Sequence, residues 1–172
     1  MAQLIKTKAE LNQILTKKLM DAINIVCSRI EKQLKKNIID YTYNYDNQPN
    51  TWYRPTYEFY NSFYMAKAKK DMRGAITAWI VHDYTRMSAP RYNSSQNSQL
   101  PYQHGNYNEG IDRRKQLAAI LNVDGENGSY DFRGKQRGPF FDLTIQWIED
   151  NWFDLINNAF KQVGLRTVHL KR

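Results

Sequence analysis

Three histidines, one cysteine and several lysine and arginine clusters are the residues whose types could do chemistry in this chain. His82, His104 and His169 lie far apart, and none has a second ligand at HxH or HxxxH spacing, so no local metal motif exists. His82 falls on a predicted strand face, where a packed structural histidine is expected. His104 precedes Gly105 in a long polar loop, where an imidazole can act as a general base. No nucleophile stands beside it, and the chain has neither a GxSxG elbow nor a P-loop. The stretch Gly134–Gly138, GKQRG, lacks the Walker spacing and reads as glycine turns. Glu149 and Asp150 are adjacent on a predicted helix. Their carboxylates point about 100° apart and do not share a proton easily. The sequence therefore predicts no catalytic residue, no metal and no cofactor. An enzyme built on His104 is the weakest reading.

The basic clusters say more. They are Lys35-Lys36, then Lys67, Lys69, Lys70 and Arg73, then Arg113-Arg114-Lys115. On a strand Lys67 and Lys69 share a face and can meet phosphates together, with Tyr64 nearby as a base-stacking platform. Lys67, Lys69, Lys70 and Arg73 are thus candidate contacts for DNA or for an acidic protein partner. No helix-turn-helix, RRM, KH or zinc-finger pattern accompanies them. The formal charge is +8; residues 1–73 hold 13 basic and 7 acidic side chains, and residues 74–172 hold 12 and 10, so the excess sits in the first half. Such a balance favours nucleic acid or an acidic partner without choosing between them.

The 172 residues suit a single domain large enough to bury a core. Twelve tyrosines and four tryptophans exceed what a small core needs, and such side chains suit surfaces that become buried against partners. A genomic bias toward Asn, Lys and Tyr codons accounts for part of that excess. Cys27 is the only cysteine, so no intrachain disulfide or cysteine-rich zinc site is possible. The first residues lack the apolar core of a signal peptide. No apolar run approaches the length of a membrane span, roughly 20 residues. Synthesis in a reducing cytoplasm and no membrane partner are the expectation.

The elements that would position these residues follow from periodicity. Leu4, Leu11, Leu15, Leu19, Ala22, Val26, Ile30 and Leu34 make one helical stripe and predict a helix over 3–39. Part of that stripe can meet a neighbouring subunit. Residues 40–57 are an aromatic, proline-containing loop. Residues 59–70 and 75–84 predict an antiparallel hairpin around a turn at 71–74, with apolar groups on both faces of the second strand and both faces expected to be covered. Residues 85–110 are a polar arm, and 112–121 a short helix that Asp112 would cap. Residues 140–163 predict a second long helix on the stripe Phe141, Ile145, Ile148, Trp152, Leu155, Ala159 and Val163, closed by Gly164. A short closing strand is predicted at 165–170.

Four blocks in this order resemble a known family: the long amphipathic helix; YRPTYEFYNSF at 53–63; His104-Gly105 followed by Ile120-Leu121-Asn122 and a Gly-rich turn; and Arg137-Gly138-Pro139-Phe140-Phe141-Asp142 opening a helix that ends in Val163-Gly164-Leu165. The chain is similar, over Tyr53 to Leu165, to the neck or tail-completion (minor capsid, head–tail joining) proteins of tailed phages. In that family an Arg-Thr-x-x-Leu-x-x-Ser block opens a hairpin strand, followed by a His-Gly loop, an Ile-Leu-Asn-x-Gly element and an aromatic start of the last helix. Arg54, Thr56, Phe59 and Ser62 match the first block, with Pro55 inserted, and Asn122-Val123-Asp124-Gly125 is longer than Asn-x-Gly. The resemblance implies an α+β fold with a small antiparallel curved sheet flanked by long N-terminal and C-terminal helices, and with long interaction loops. It implies a virion protein at the head–tail junction, in a ring of sixfold or twelvefold symmetry. Its partners would be portal, adaptor or stopper, tail-tube or tail-terminator proteins, with genomic DNA passing through. The interface would draw on Tyr43, Tyr45, Trp52, Tyr53 and Arg54 of one loop, and on Tyr92, Tyr102, His104 and Tyr107 of the arm. The alternative from the residues alone is a small basic DNA-binding protein using the hairpin 59–84.

Overall fold

Thr7 opens the first helix, α1 (Lys8–Ile38): its hydroxyl accepts the Glu10 amide at 3.1 Å, and Glu10 itself brings a carboxylate to the helix's positive end. Without Pro or Gly, α1 runs 31 residues and then unwinds through a π turn, Ile39–Tyr43. The computed structural model describes residues 7–43, 57–87, 105–106, 111–112, 114–116, 118 and 139–166. A helical turn, α2 (Glu58–Asn61), precedes the hairpin of β1 (Phe63–Lys70) and β2 (Ile76–His82). A 3-10 turn, Tyr84–Arg86, follows β2. The two-residue strands β3 (Gly105–Asn106) and β4 (Ile111–Asp112) pair antiparallel, Gly105 opposite Asp112. A 3-10 turn at Arg114–Gln116 and the helix α3 (Phe140–Gln162) follow. The fold is α+β, and its main sheet is one small open hairpin.

The chain divides into two compact units: Met1–Glu31 with Met65–Ile80 and Trp147–Arg172, and Lys32–Tyr64 with Val81–Gln146. The first is cored by small side chains. Ala22, Ala68, Leu155 and Ala159 are buried, and alanines let backbones come close. Asp71 builds the hairpin turn of this unit. The Asp71 amide donates to the Ala75 carbonyl at 2.9 Å. The Ala75 amide donates back to the Asp71 carboxylate at 2.8 Å. Gly74 takes φ +87°, a conformation that costs glycine little. α3 ends in a Schellman cap, with Gly164 at φ +73°. The Gly164 amide donates to the Lys161 carbonyl, and the Leu165 amide to the Phe160 carbonyl at 2.8 Å.

The second unit is cored by aromatics. Phe59 meets Phe63 edge-on at 5.2 Å and Phe140 at 5.9 Å. Phe63 stacks on the His82 ring at 4.6 Å. Both arrangements are favoured by the ring quadrupoles. Beside them is a buried polar relay. The Gln33 side-chain amide donates to the Asn37 side-chain oxygen Oδ1 at 3.0 Å, and the Asn37 side-chain amide donates to the Thr144 hydroxyl at 2.9 Å. That hydroxyl in turn donates to the Phe140 carbonyl at 2.6 Å. Such a relay satisfies its groups only in one geometry, so it fixes register as well as contributing stability.

Several expectations are corrected. Residues 59–62 are not strand. The Ser62 hydroxyl donates to the Phe59 carbonyl at 2.6 Å and its amide to the Glu58 carbonyl at 2.9 Å, which closes a helical turn before β1 begins. β2 stops at His82 because the Asp83 carboxylate accepts the Thr85 amide at 3.1 Å and the Thr85 hydroxyl at 2.5 Å. Those bonds fold the chain into the 3-10 turn. Asp112, expected at the start of a helix, lies in β4. The outer face of β2 is open, with Trp79 65% exposed. On α3 the buried positions are Phe140, Thr144, Leu155 and Ala159, whereas Ile145 and Trp152 are exposed. Those two lie roughly 80–100° round the helix from Thr144. The predicted apolar stripe is thus wider than the face that is covered. The segments 3–6, 44–56, 88–104 and 167–170, which hold parts of the first helix, both expected interaction loops and the closing strand, lie outside the described residues.

His82 supplies a test. Its Nε2 is buried with no hydrogen-bond partner among the described residues, and burial holds its pKa below the usual 6.5 against the opposing pull of Asp83. The unfolded chain therefore takes up this proton at higher pH than the folded one. The contribution to stability is present above about pH 6.5 and lost as pH falls through and below that value. Denaturant midpoints measured from pH 7 to 5.5 should fall in the parent chain and fall less in His82→Phe.

Candidate functional site

A groove between α1 and β1 begins with a match of repeats. Asn24 and Glu31 are seven residues apart on α1, about 10.5 Å along a helix. Met65 and Ala68 are three apart on β1, about 10 Å along a strand. The Ala68 amide donates to the Asn24 side-chain oxygen at 2.7 Å, and the Met65 amide donates to the Glu31 carboxylate at 3.2 Å. Those two bonds align helix and strand within the first unit.

Around Asn24, toward the hairpin tip, helix and strand leave an open groove of about 530 Å³. Two rows at four-residue spacing on α1 form one wall: Asn12, Thr16, Met20 and Asn24, and beside them Gln13, Lys17 and Asp21. Lys67, Ala68 and Lys70 of β1 form the other. Three lysines thus face one carboxylate, and among the described residues no ion pair engages any of the four.

Lys67, Lys69, Lys70 and Arg73 are all exposed, on β1 and in its turn. The groove gathers Lys67 with Lys70, not with Lys69. Lys70 is the last residue of β1, next to the Asp71 turn. Lys17 joins them from α1 and was not singled out by the sequence. The signal it offered was the pair of polar rows 12-16-24 and 13-17-21 on an otherwise charged helix. Tyr43 lies in the π turn; Tyr45, Trp52, Tyr53, Arg54, Tyr92, Tyr102, His104 and Tyr107 lie outside the described residues.

Other basic residues are engaged within the second unit. The Arg86 guanidinium covers the Tyr64 ring at 3.9 Å, which takes that ring away from base stacking. Arg86 also pairs with Asp83 at 3.3 Å. Lys115 and Arg114 flank Tyr84 at 5.1 and 5.8 Å, and Lys35 lies 5.1 Å over Tyr60. Hydrogen bonds from Thr85, reinforced by Arg86, keep the Asp83 carboxyl below its usual range. In the first unit, Cys27 is buried, and burial with nearby Glu31 pushes its thiol up, away from the reactive thiolate.

The first unit also carries large apolar side chains in the open. Leu11 and Leu15 continue the α1 stripe beyond buried Ala22 but are themselves exposed; Met72 stands at the hairpin tip, Trp79 on β2, and Trp152, 56% exposed, on α3. Single exposed leucines are ordinary, but tryptophan is highly buried on average, so two open indoles in one unit are informative.

No protein-family model, curated protein or solved structure matches the chain.

The exposure has a measurable consequence. Trp79→Ser and Trp152→Ser should each cost under about 1 kcal/mol in urea unfolding of the isolated chain, whereas Leu155→Ala, at a closed position, should cost about 2–5 kcal/mol.

Proposed function

We propose that this chain is a non-enzymatic structural protein of a tailed-phage particle that forms a ring at the head–tail junction, joining the portal–adaptor complex to the tail. The observation that carries the reading is the pair of open tryptophans, Trp79 and Trp152, in a unit that also exposes Leu11 and Leu15. A ring built from one kind of chain uses heterologous contacts, so each subunit needs two different adhesive patches. An indole on a strand and another on a helix, with a leucine pair on a second helix, fit that need.

Two parts of the blocks that resemble neck proteins lie among the described residues. Ser62 directly precedes the hairpin strand β1, and its carbonyl accepts the Asp83 amide at 2.8 Å from beyond β2. Phe140 and Phe141 open the final helix, which Gly164 closes. A second reading, a small DNA-binding protein, draws support from Lys17, Lys67 and Lys70 along one groove.

Native mass spectrometry and negative-stain images of the full chain, alone and with the portal, adaptor and tail-tube proteins encoded beside it, test the proposal. The expected result is an annulus of six or twelve copies that Trp152→Glu abolishes while the monomer stays folded. A chain that remains solitary beside every such protein would overturn it. Retention on duplex DNA that fades steeply with salt, without any annulus, would favour the second reading.

A further inference from the structure

We infer that the groove between α1 and β1 is a docking site for an extended, acidic segment of a partner protein. Lys17, Lys67 and Lys70 outnumber Asp21 there, so the groove attracts negative charge. Charge alone would suit a phosphate backbone equally well, but the rest of the wall suits a peptide. Asn12 and Gln13 present side-chain amides, each with a donor and an acceptor, and Asn24, its oxygen held by the Ala68 amide, adds an NH2 donor. An extended peptide exposes both kinds of main-chain group and needs both kinds of partner, whereas a phosphodiester offers acceptors only.

Met20, within one of the α1 rows, and Ala68 of β1 add apolar surface where a small side chain can rest. Among the described residues no aromatic side chain lines the groove, so it lacks the stacking platform through which single-stranded nucleic acid is usually held. A volume of about 530 Å³ is within the range of specific ligand sites. The Ala68 amide is already taken by Asn24, so the segment does not add to β1 as a further strand at that point. It lies between helix and strand, with carboxylates on the lysines and its backbone along the amide rows. The groove has these properties whether or not the chain builds a ring.

Fluorescence anisotropy of the full chain at low salt tests this with three labelled probes: an eight-residue peptide alternating Glu and Ser, a 20-nucleotide single strand, and a 20-base-pair duplex. Lys67→Glu with Lys70→Glu should weaken the peptide at least tenfold, and Gln13→Ala several-fold. A matched reversal elsewhere on α1, Lys32→Glu with Lys36→Glu, should change it less than twofold. Lys17→Gln with Lys67→Gln is the milder pair should the reversal disturb folding, which circular dichroism reports. Peptide binding that is absent, or equally weakened by the control pair, would overturn the inference. So would either nucleic acid binding more tightly than the peptide and losing its affinity in the groove variants, which would assign the groove to phosphates.

Discussion

A two-stranded hairpin does not hold itself together in water, and its outer strand leaves main-chain groups unpaired. In this protein α1 answers both needs with side chains. Asn24 and Glu31 accept the Ala68 and Met65 amides, so the helix does part of what a third strand would do. The bond to a carboxylate is the kind that contributes most per contact, and the bond to Asn24 is short. Once helix and strand are aligned at these two points, the rest of the first unit follows. Small buried residues, Ala22, Ala68 and Ala159, let its elements come close. The two polar rows of α1 then face the lysines of β1 across a groove, because the same alignment that seats Asn24 brings Lys17, Lys67 and Lys70 to one place.

The second unit is held by different means. Phe59, Phe63, Phe140 and the neutral ring of His82 interlock, and the relay from Gln33 through Asn37 to Thr144 fixes which residues of α1 and α3 meet there. An apolar cluster tolerates sliding, and a satisfied polar relay does not. The tyrosines of this unit that carry a cation, Tyr60, Tyr64 and Tyr84, are committed to internal contacts. Tyr41 and Tyr57 of the same unit are exposed, as Trp79 and Trp152 are in the first.

The long helices were legible because apolar side chains that recur every 3.6 residues over many turns line up only on a helix. The Asp71–Gly74 turn and the Gly164 cap were legible because each depends on one residue's local chemistry. The start of β1 was not. Phe59 to Ser62 are as aromatic as a strand, and the hydroxyl of Ser62 decides otherwise by bonding three residues back. Nor did periodicity separate Trp152 from Leu155, since both fall within a generous apolar arc and only the covering neighbour distinguishes them. The groove was half legible: Lys67 and Lys70 stood out as charges, but Lys17, Gln13 and Asn24 become its wall only through tertiary docking of helix on strand.

Asn24 and Glu31 seat β1 on α1, and the groove exists because they do. Amide hydrogen exchange at Ala68, read residue by residue in the parent chain and in Asn24→Ala, addresses this most directly. The amide should be protected in the parent and exchange about tenfold faster in the variant, the loss of roughly one net hydrogen bond. The Ser62 amide of the second unit should keep its rate. An Ala68 amide that exchanges freely in the parent, or at the same rate in both, would contradict the account.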